Sequence, residues 1–229
     1  MKFIFLKPEP NWESLYFYQK SVVLYLLTYA FAKRYLQRGD RTIDQMVQAA
    51  RSGKQNIVEG SADSMTSTRM ELELVNVARA SLKELREDYE DYLDTRHLRW
   101  TKDHPRYTAM MEFTRKNNKA EAYKKIIDEG TNEEMANLGL TLTHQVDCMM
   151  IGYLHRLEKA FVEEGGIKER MTAARLGRRK TQNETIEAQA HEIQELKATI
   201  ARQQARIAEL EAEVTKWHTW WQENTQPQN

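Results

Sequence analysis

His144 and Cys148 stand one helical turn apart and are the nearest this chain comes to a pair of soft metal ligands. Zinc needs three or four such donors. The chain has a single cysteine, and no second pair of histidines lies near these two. A half-buried thiol beside a polar imidazole is therefore the reading they support. Asp94-x-x-His97 is the sole approach to the Glu-x-x-His motif, which di-metal sites in helical bundles use twice beside two further Glu. The acidic run Glu84, Glu87, Asp88, Glu90, Asp91 and Asp94 reads as a solvated helix face. Cys148 has no evident activating base. No Gly-x-Ser-x-Gly, phosphate loop or dinucleotide fingerprint occurs either. These residues predict no catalysis, no metal and no cofactor.

What remains is binding. Cations that could reach phosphate are Arg34, Arg38 and Arg41 near the first turn, Arg51 and Lys54 on a second helix, and Arg178, Arg179 and Lys180 further on. Lys+Arg and Asp+Glu each total 34, and splitting the chain at Arg170 leaves both parts balanced. A nucleic-acid surface must then come from local patches, or from one patch repeated in an oligomer. Arg51 and Lys54 also suit ion pairs between subunits, and Arg178 to Lys180 also suit a solvated linker.

The elements that must carry these residues are helices. Charged residues make up 30% of the 229 positions and mean hydropathy is −0.75, with only nine Gly and four Pro. That composition predicts long solvated helices around a modest core. One cysteine excludes an intramolecular disulfide and fits a reducing, cytoplasmic setting. The apolar run Val22 to Phe31 follows Glu9 and Glu13 and is too short to span a bilayer, so no membrane is expected.

The first helix is predicted from Asn11, its cap, to about Gln37, with Pro8 and Pro10 before it and Gly39 ending it. It is apolar on more than one side, as a helix covered by two neighbours or by another subunit would be. The second begins at Asp40 or Thr42 and carries Gln48 to Gly60, and Ser61 to Thr68 is a polar connection. The third holds Val75, Ala78, Leu82, Leu85, Tyr89 and Tyr92 in steps of three and four, the seam of a bundle. Residues 96–130 form an irregular insertion. Pro105 interrupts it, Tyr107 to Phe113 is helical, and Asn117-Asn118 marks a turn. The fourth helix has a capping box in Thr131 and Glu134. It presents Met135, Leu138, Leu142, Met149, Tyr153 and Leu157, widened by Cys148, Ile151 and Leu154, before ending at Gly165-Gly166. Residues 1–166 are thus predicted to be an antiparallel four-helix bundle.

Residues 167–184 read as a basic linker with a hinge at Gly177, residues 185–223 as a coiled coil, and residues 224–229 as a disordered tail. Ile186, Ile193, Ile200, Ile207, Val214 and Trp221 occupy a positions. Gln189, Leu196, Gln203, Leu210 and Trp217 occupy d positions. In a parallel pairing Glu192 meets Lys197 and Arg206 meets Glu211, both attractive. The two Gln at d suit a wider seam, from trimer to pentamer. Trp220, at a g position, is the candidate contact for a protein partner.

One stretch joins these elements to a family. In Gln48-Ala-Ala-Arg51-Ser52-Gly53-Lys54-Gln55-Asn56-Ile57-Val58-Glu59-Gly60, the residues Ser52, Gly53 and Asn56 make a small face for close helix packing. Gln48, Gln55 and Asn56 are placed to hydrogen-bond across it. With Ala78-x-x-Ser81-x-x-Glu84-Leu85, the stretch resembles the four-helix-bundle family of 23S rRNA intervening-sequence proteins, which includes the accessory variability proteins of diversity-generating retroelements. The resemblance covers about residues 12 to 163. Arg51 lies nearer Ser52 than in the family pattern, many relatives are more basic, and the coiled coil is an addition. The resemblance implies a ring-forming homo-oligomer, typically a pentamer, that associates with RNA or DNA, in some members beside a reverse transcriptase. The other reading is a structural assembly module oligomerised by its coil.

Overall fold

The computed structural model describes residue 6 and residues 11–225. Pro8, Pro10 and the last four residues of the expected tail lie outside them. The fold is all-α, with no strand among the described residues, which divide into two compact units, Met1–Met171 and Thr172–Asn229. No helix among them is long and apolar enough to cross a membrane.

The helices of the first unit are α1 (Tyr16–Tyr35), α2 (Arg41–Asp63), α3 (Thr68–Asp94), α4 (Pro105–Lys116), α5 (Lys124–Glu129) and α6 (Asn132–Glu164). Asn11 does not cap α1 with its side chain. A 3-10 turn over Trp12–Ser14 intervenes, and the Ser14 hydroxyl donates to the Asn11 carbonyl at 2.7 Å. Gly39, at φ 92°, takes the left-handed corner between α1 and α2, a conformation that glycine adopts without strain. Asp40 then caps α2 by accepting from the Thr42 N–H at 2.9 Å. α2 continues past Gly60 to Asp63, so the connection shrinks to Ser64–Ser67, with Ser67 capping α3. Thr131 and Glu134 form the reciprocal capping box of α6.

α2 packs on α1 and α3, and α6 packs on α1 and α3, so four long helices enclose one core. Leu24, Leu27, Phe31, Met46, Ile57, Leu82, Leu85, Tyr89, Met135, Leu142 and Met150 are buried there. Each such side chain withdrawn from water contributes about 1.5–3 kcal/mol before entropy is subtracted. On α6 the buried line runs through Val146 and Met150. Met149 and Tyr153 sit at its edge, and Cys148 is exposed. Met135, Leu138, Leu142 and Leu157 of the expected stripe are buried, and between Leu142 and Leu157 the core takes Val146 and Met150 in place of Met149 and Tyr153.

The 96–130 region is better ordered than its sequence suggests. Pro105 opens α4 at the first helical position, where its missing N–H is no loss, rather than interrupting it. α4 runs beyond the expected Tyr107–Phe113, a 3-10 turn follows at Ala120–Tyr123, and Trp100, Thr114 and Tyr123 are buried.

Helix α7 spans Ile167–Thr225, and its residues from Thr172 form the second unit. The expected linker at 167–184 is helical, Gly177 does not interrupt it, and Asn224 and Thr225 are helical too.

Candidate interaction surfaces

The small face of α2 meets α3 of the same chain. Gly53 is buried, and a Cβ there would lie 2.5 Å from Leu82 Cδ2. One turn-pair further, a Cβ on Gly60 would lie 3.2 Å from Leu74 Cβ. Ser52 and Ser81 hydroxyls meet at 3.0 Å across the contact. Asn56 Nδ2 turns back to its own helix, donating to the Ser52 carbonyl at 2.9 Å. Gln48 and Gln55 are exposed, and neither bridges to α3. Gly53 costs about 1 kcal/mol of helix propensity relative to Ala. Its lack of a side chain is what admits Leu82.

Of the basic candidates in the first unit, two are engaged within it. Arg34 reaches the C-terminal end of α5, its guanidinium donating to the Ile127 carbonyl at 3.0 Å and to the Gly130 carbonyl at 3.5 Å. Lys54 lies over the Tyr25 ring, 4.7 Å from its centroid. Arg38, Arg41 and Arg51 are exposed. In the second unit Arg178, Arg179 and Lys180 are exposed, with no ion pair to any described residue.

Along α7 the apolar seam is open to solvent. Ile186 is 61% exposed, and Ile193, Leu196, Ile200, Ile207, Leu210 and Val214 are likewise exposed. Trp217 and Trp220 meet edge to face at 5.8 Å, and both remain more than half exposed. Arg206 pairs with Glu209 of its own helix at 2.9 Å.

Other polar residues in the first unit escaped sequence reasoning. Lys20 is fully buried on α1. Its Nζ donates to the Thr114 carbonyl and, at 2.9 Å, to the Asn117 carbonyl, closing the C-terminal end of α4. Burial lowers this ammonium to about 8. Its signal was a single cation inside the apolar series Phe17, Leu24, Leu27 and Phe31. Glu71 is buried four residues before Val75 in the α3 seam and accepts from the Tyr153 hydroxyl, whose pKa burial raises. Arg79 joins α3 to α6 through Asp147 at 2.7 Å. On the acidic face Asp88 is half-buried, and burial with its neighbours Asp91, Glu84 and Glu87 raises its carboxyl to about 6. His144 Nε2 lies 3.9 Å from Cys148 Sγ, both exposed. Among the described residues no three His, Cys, Asp or Glu are grouped to hold a metal. Compared with protein families, curated proteins and solved structures, the chain returned no match in any of the three, so any functional reading rests on these residues and their geometry.

Proposed function

We propose that this protein is a non-enzymatic assembly module, in which copies of α7 associate as a parallel coiled coil and the first unit is an antiparallel four-helix bundle. One observation carries the reading: a row of apolar a and d side chains, from Ile186 to Trp221, lies exposed along a single helix of 59 residues. Each Ile or Leu of that row would add about 1.5–3 kcal/mol if fully buried against a partner copy. The attractive pairs Glu192–Lys197 and Arg206–Glu211 favour parallel alignment, although Arg206 must first leave Glu209. The antiparallel bundle draws support from the short α1–α2 and α2–α3 connections, which leave no room for a crossover. The place of Ser52, Gly53 and Ser81 at the α2–α3 contact supports kinship with the intervening-sequence family and its ring-forming members.

Light scattering on the full chain, on Ile193→Asp/Ile200→Asp and on residues 1–170 tests this. The full chain is expected at a discrete multiple of 27.0 kDa, and the double variant below it. A full chain that stays at 27.0 kDa at micromolar concentration ends the proposal. The behaviour of residues 1–170 tells whether the bundle assembles without the coil, as kinship with ring-forming proteins requires.

A second reading is favoured by Arg178, Arg179 and Lys180, which are exposed and form no ion pair with any described residue. In a parallel coil they repeat in every copy, and a repeated cation patch suits RNA or DNA, as in an accessory protein beside a reverse transcriptase. Binding that vanishes when these three become Ala, and that weakens steeply with salt, is the outcome this reading requires.

A further inference from the structure

The region 96–130 contains a feature that neither reading uses. Residues of α4, α5 and the start of α6 line a cavity of about 410 Å³, within the size range of small-molecule sites. Its walls are apolar, formed by Trp100, Met110, Phe113 and Ile126. They are held in place independently of any ligand. Trp100 donates its indole N–H to Glu133 at 2.5 Å and its backbone N–H to Asn137 at 2.9 Å, and its ring stacks on His104 at 4.5 Å. The cavity edge at Gly130 is fixed by the Tyr35 hydroxyl, which donates to its carbonyl at 2.6 Å. A site built on such prearranged walls loses little order when it is filled.

The charges around the cavity differ in how far they are already satisfied. Glu134 accepts from Arg106 with one carboxylate oxygen and from the Thr131 N–H, at 3.0 Å, with the other. Lys125 and Glu129, one turn apart on α5, both line the cavity and are exposed, and neither has a partner among the described residues. One unpaired cation and one unpaired anion therefore stand over an apolar hollow.

We propose that this cavity binds a free α-amino acid with a large apolar side chain. The side chain fills the space between Trp100, Phe113 and Ile126, the carboxylate meets Lys125 and the ammonium meets Glu129. A peptide end carries one of those two charges, so it would satisfy half of the mouth. The proposal does not depend on how copies of the chain assemble.

Titration calorimetry on the full chain compares L-phenylalanine with phenethylamine and 3-phenylpropionate, each of which lacks one charge. The amino acid is expected to bind with a Kd of about 1 mM or below, and each analogue at least about fivefold more weakly. Lys125→Ala should erase the advantage over the amine, and Glu129→Gln the advantage over the acid. Ala109 lines the cavity from an exposed position, so Ala109→Trp should block all three ligands while circular dichroism stays unchanged. Equal binding of the three ligands overturns the proposal. So does undiminished binding in Ala109→Trp, or no binding up to about 20 mM.

Discussion

Lys20 is fully buried in the first unit, and its hydrogen bonds go to the backbone carbonyls of Thr114 and Asn117. An ammonium withdrawn from water without a countercharge is costly, and that cost lowers its pKa from 10.5 to about 8. The sign of the pH effect follows. Below about 8 both folded and unfolded chains carry the proton, and the full penalty applies. Between about 8 and 10.5 the unfolded chain holds the proton and the folded chain releases it, so this group makes stability rise with pH. The neutral amine still donates to both carbonyls. Lys20→Met would leave those carbonyls short of a donor, at about 1–3 kcal/mol, partly offset by removing the buried charge. Urea midpoints across this pH range should show wild type gaining on Lys20→Met as pH rises through it. A gap that stays constant would mean that the ammonium is solvated after all.

At the scale of elements, the α2–α3 contact depends on an absence. Alanine at position 53 would recover about 1 kcal/mol of helix propensity, but its Cβ would lie 2.5 Å from Leu82 Cδ2 and 2.6 Å from Leu82 Cγ. Overpacking of this kind costs about 1–3 kcal/mol, so Gly53→Ala is expected to destabilise the fold. Leu82→Ala alone should cost about 2–5 kcal/mol. The double variant should cost less than the sum, because removing Leu82 makes room for the new methyl. A stabilising Gly53→Ala in urea melts would show that α2 and α3 can part at no cost. The sequence carried this contact only in part. Small residues at 52, 53 and 56 marked close packing, but nothing in their spacing said whether the neighbour belonged to the same chain. The α3 seam from Val75 to Tyr92 was readable because its three-four steps stay regular over five turns. On α6 Met135, Leu138, Leu142 and Leu157 are legible in the sequence, but Met149 and Met150 are equally apolar and only the phase separates them. Residues 96–130 were opaque since short helices bury few side chains each, leaving little periodicity to read. The cavity they line could not be foreseen, for Lys125 and Glu129 look like ordinary surface charges until Trp100 and Phe113 are placed beside them.

For the molecule as a whole, if copies of α7 associate as proposed, the direction in which they align decides what the assembly presents. Parallel strands gather all copies of Arg178 to Lys180 at one end and all copies of Trp217, Trp220 and Trp221 at the other. Antiparallel strands mix the two and bring basic and aromatic segments of different copies together. Ile186 and Val214 are both a positions, equally distant from Ile200, and both are exposed along the helix. Pairing centred on Ile200 would bring Ile186 of one copy beside Val214 of the next only if the strands run in opposite directions. The test removes the exposed thiol with Cys148→Ser, then mixes chains carrying Ile186→Cys with chains carrying Val214→Cys and oxidises them gently. Mass spectrometry of the digested products reads which positions have joined. Parallel alignment predicts links between like positions alone, 186 to 186 and 214 to 214. Abundant 186-to-214 links would reverse the orientation, scatter the basic patch between two ends, and remove the geometric basis for a multivalent nucleic-acid surface.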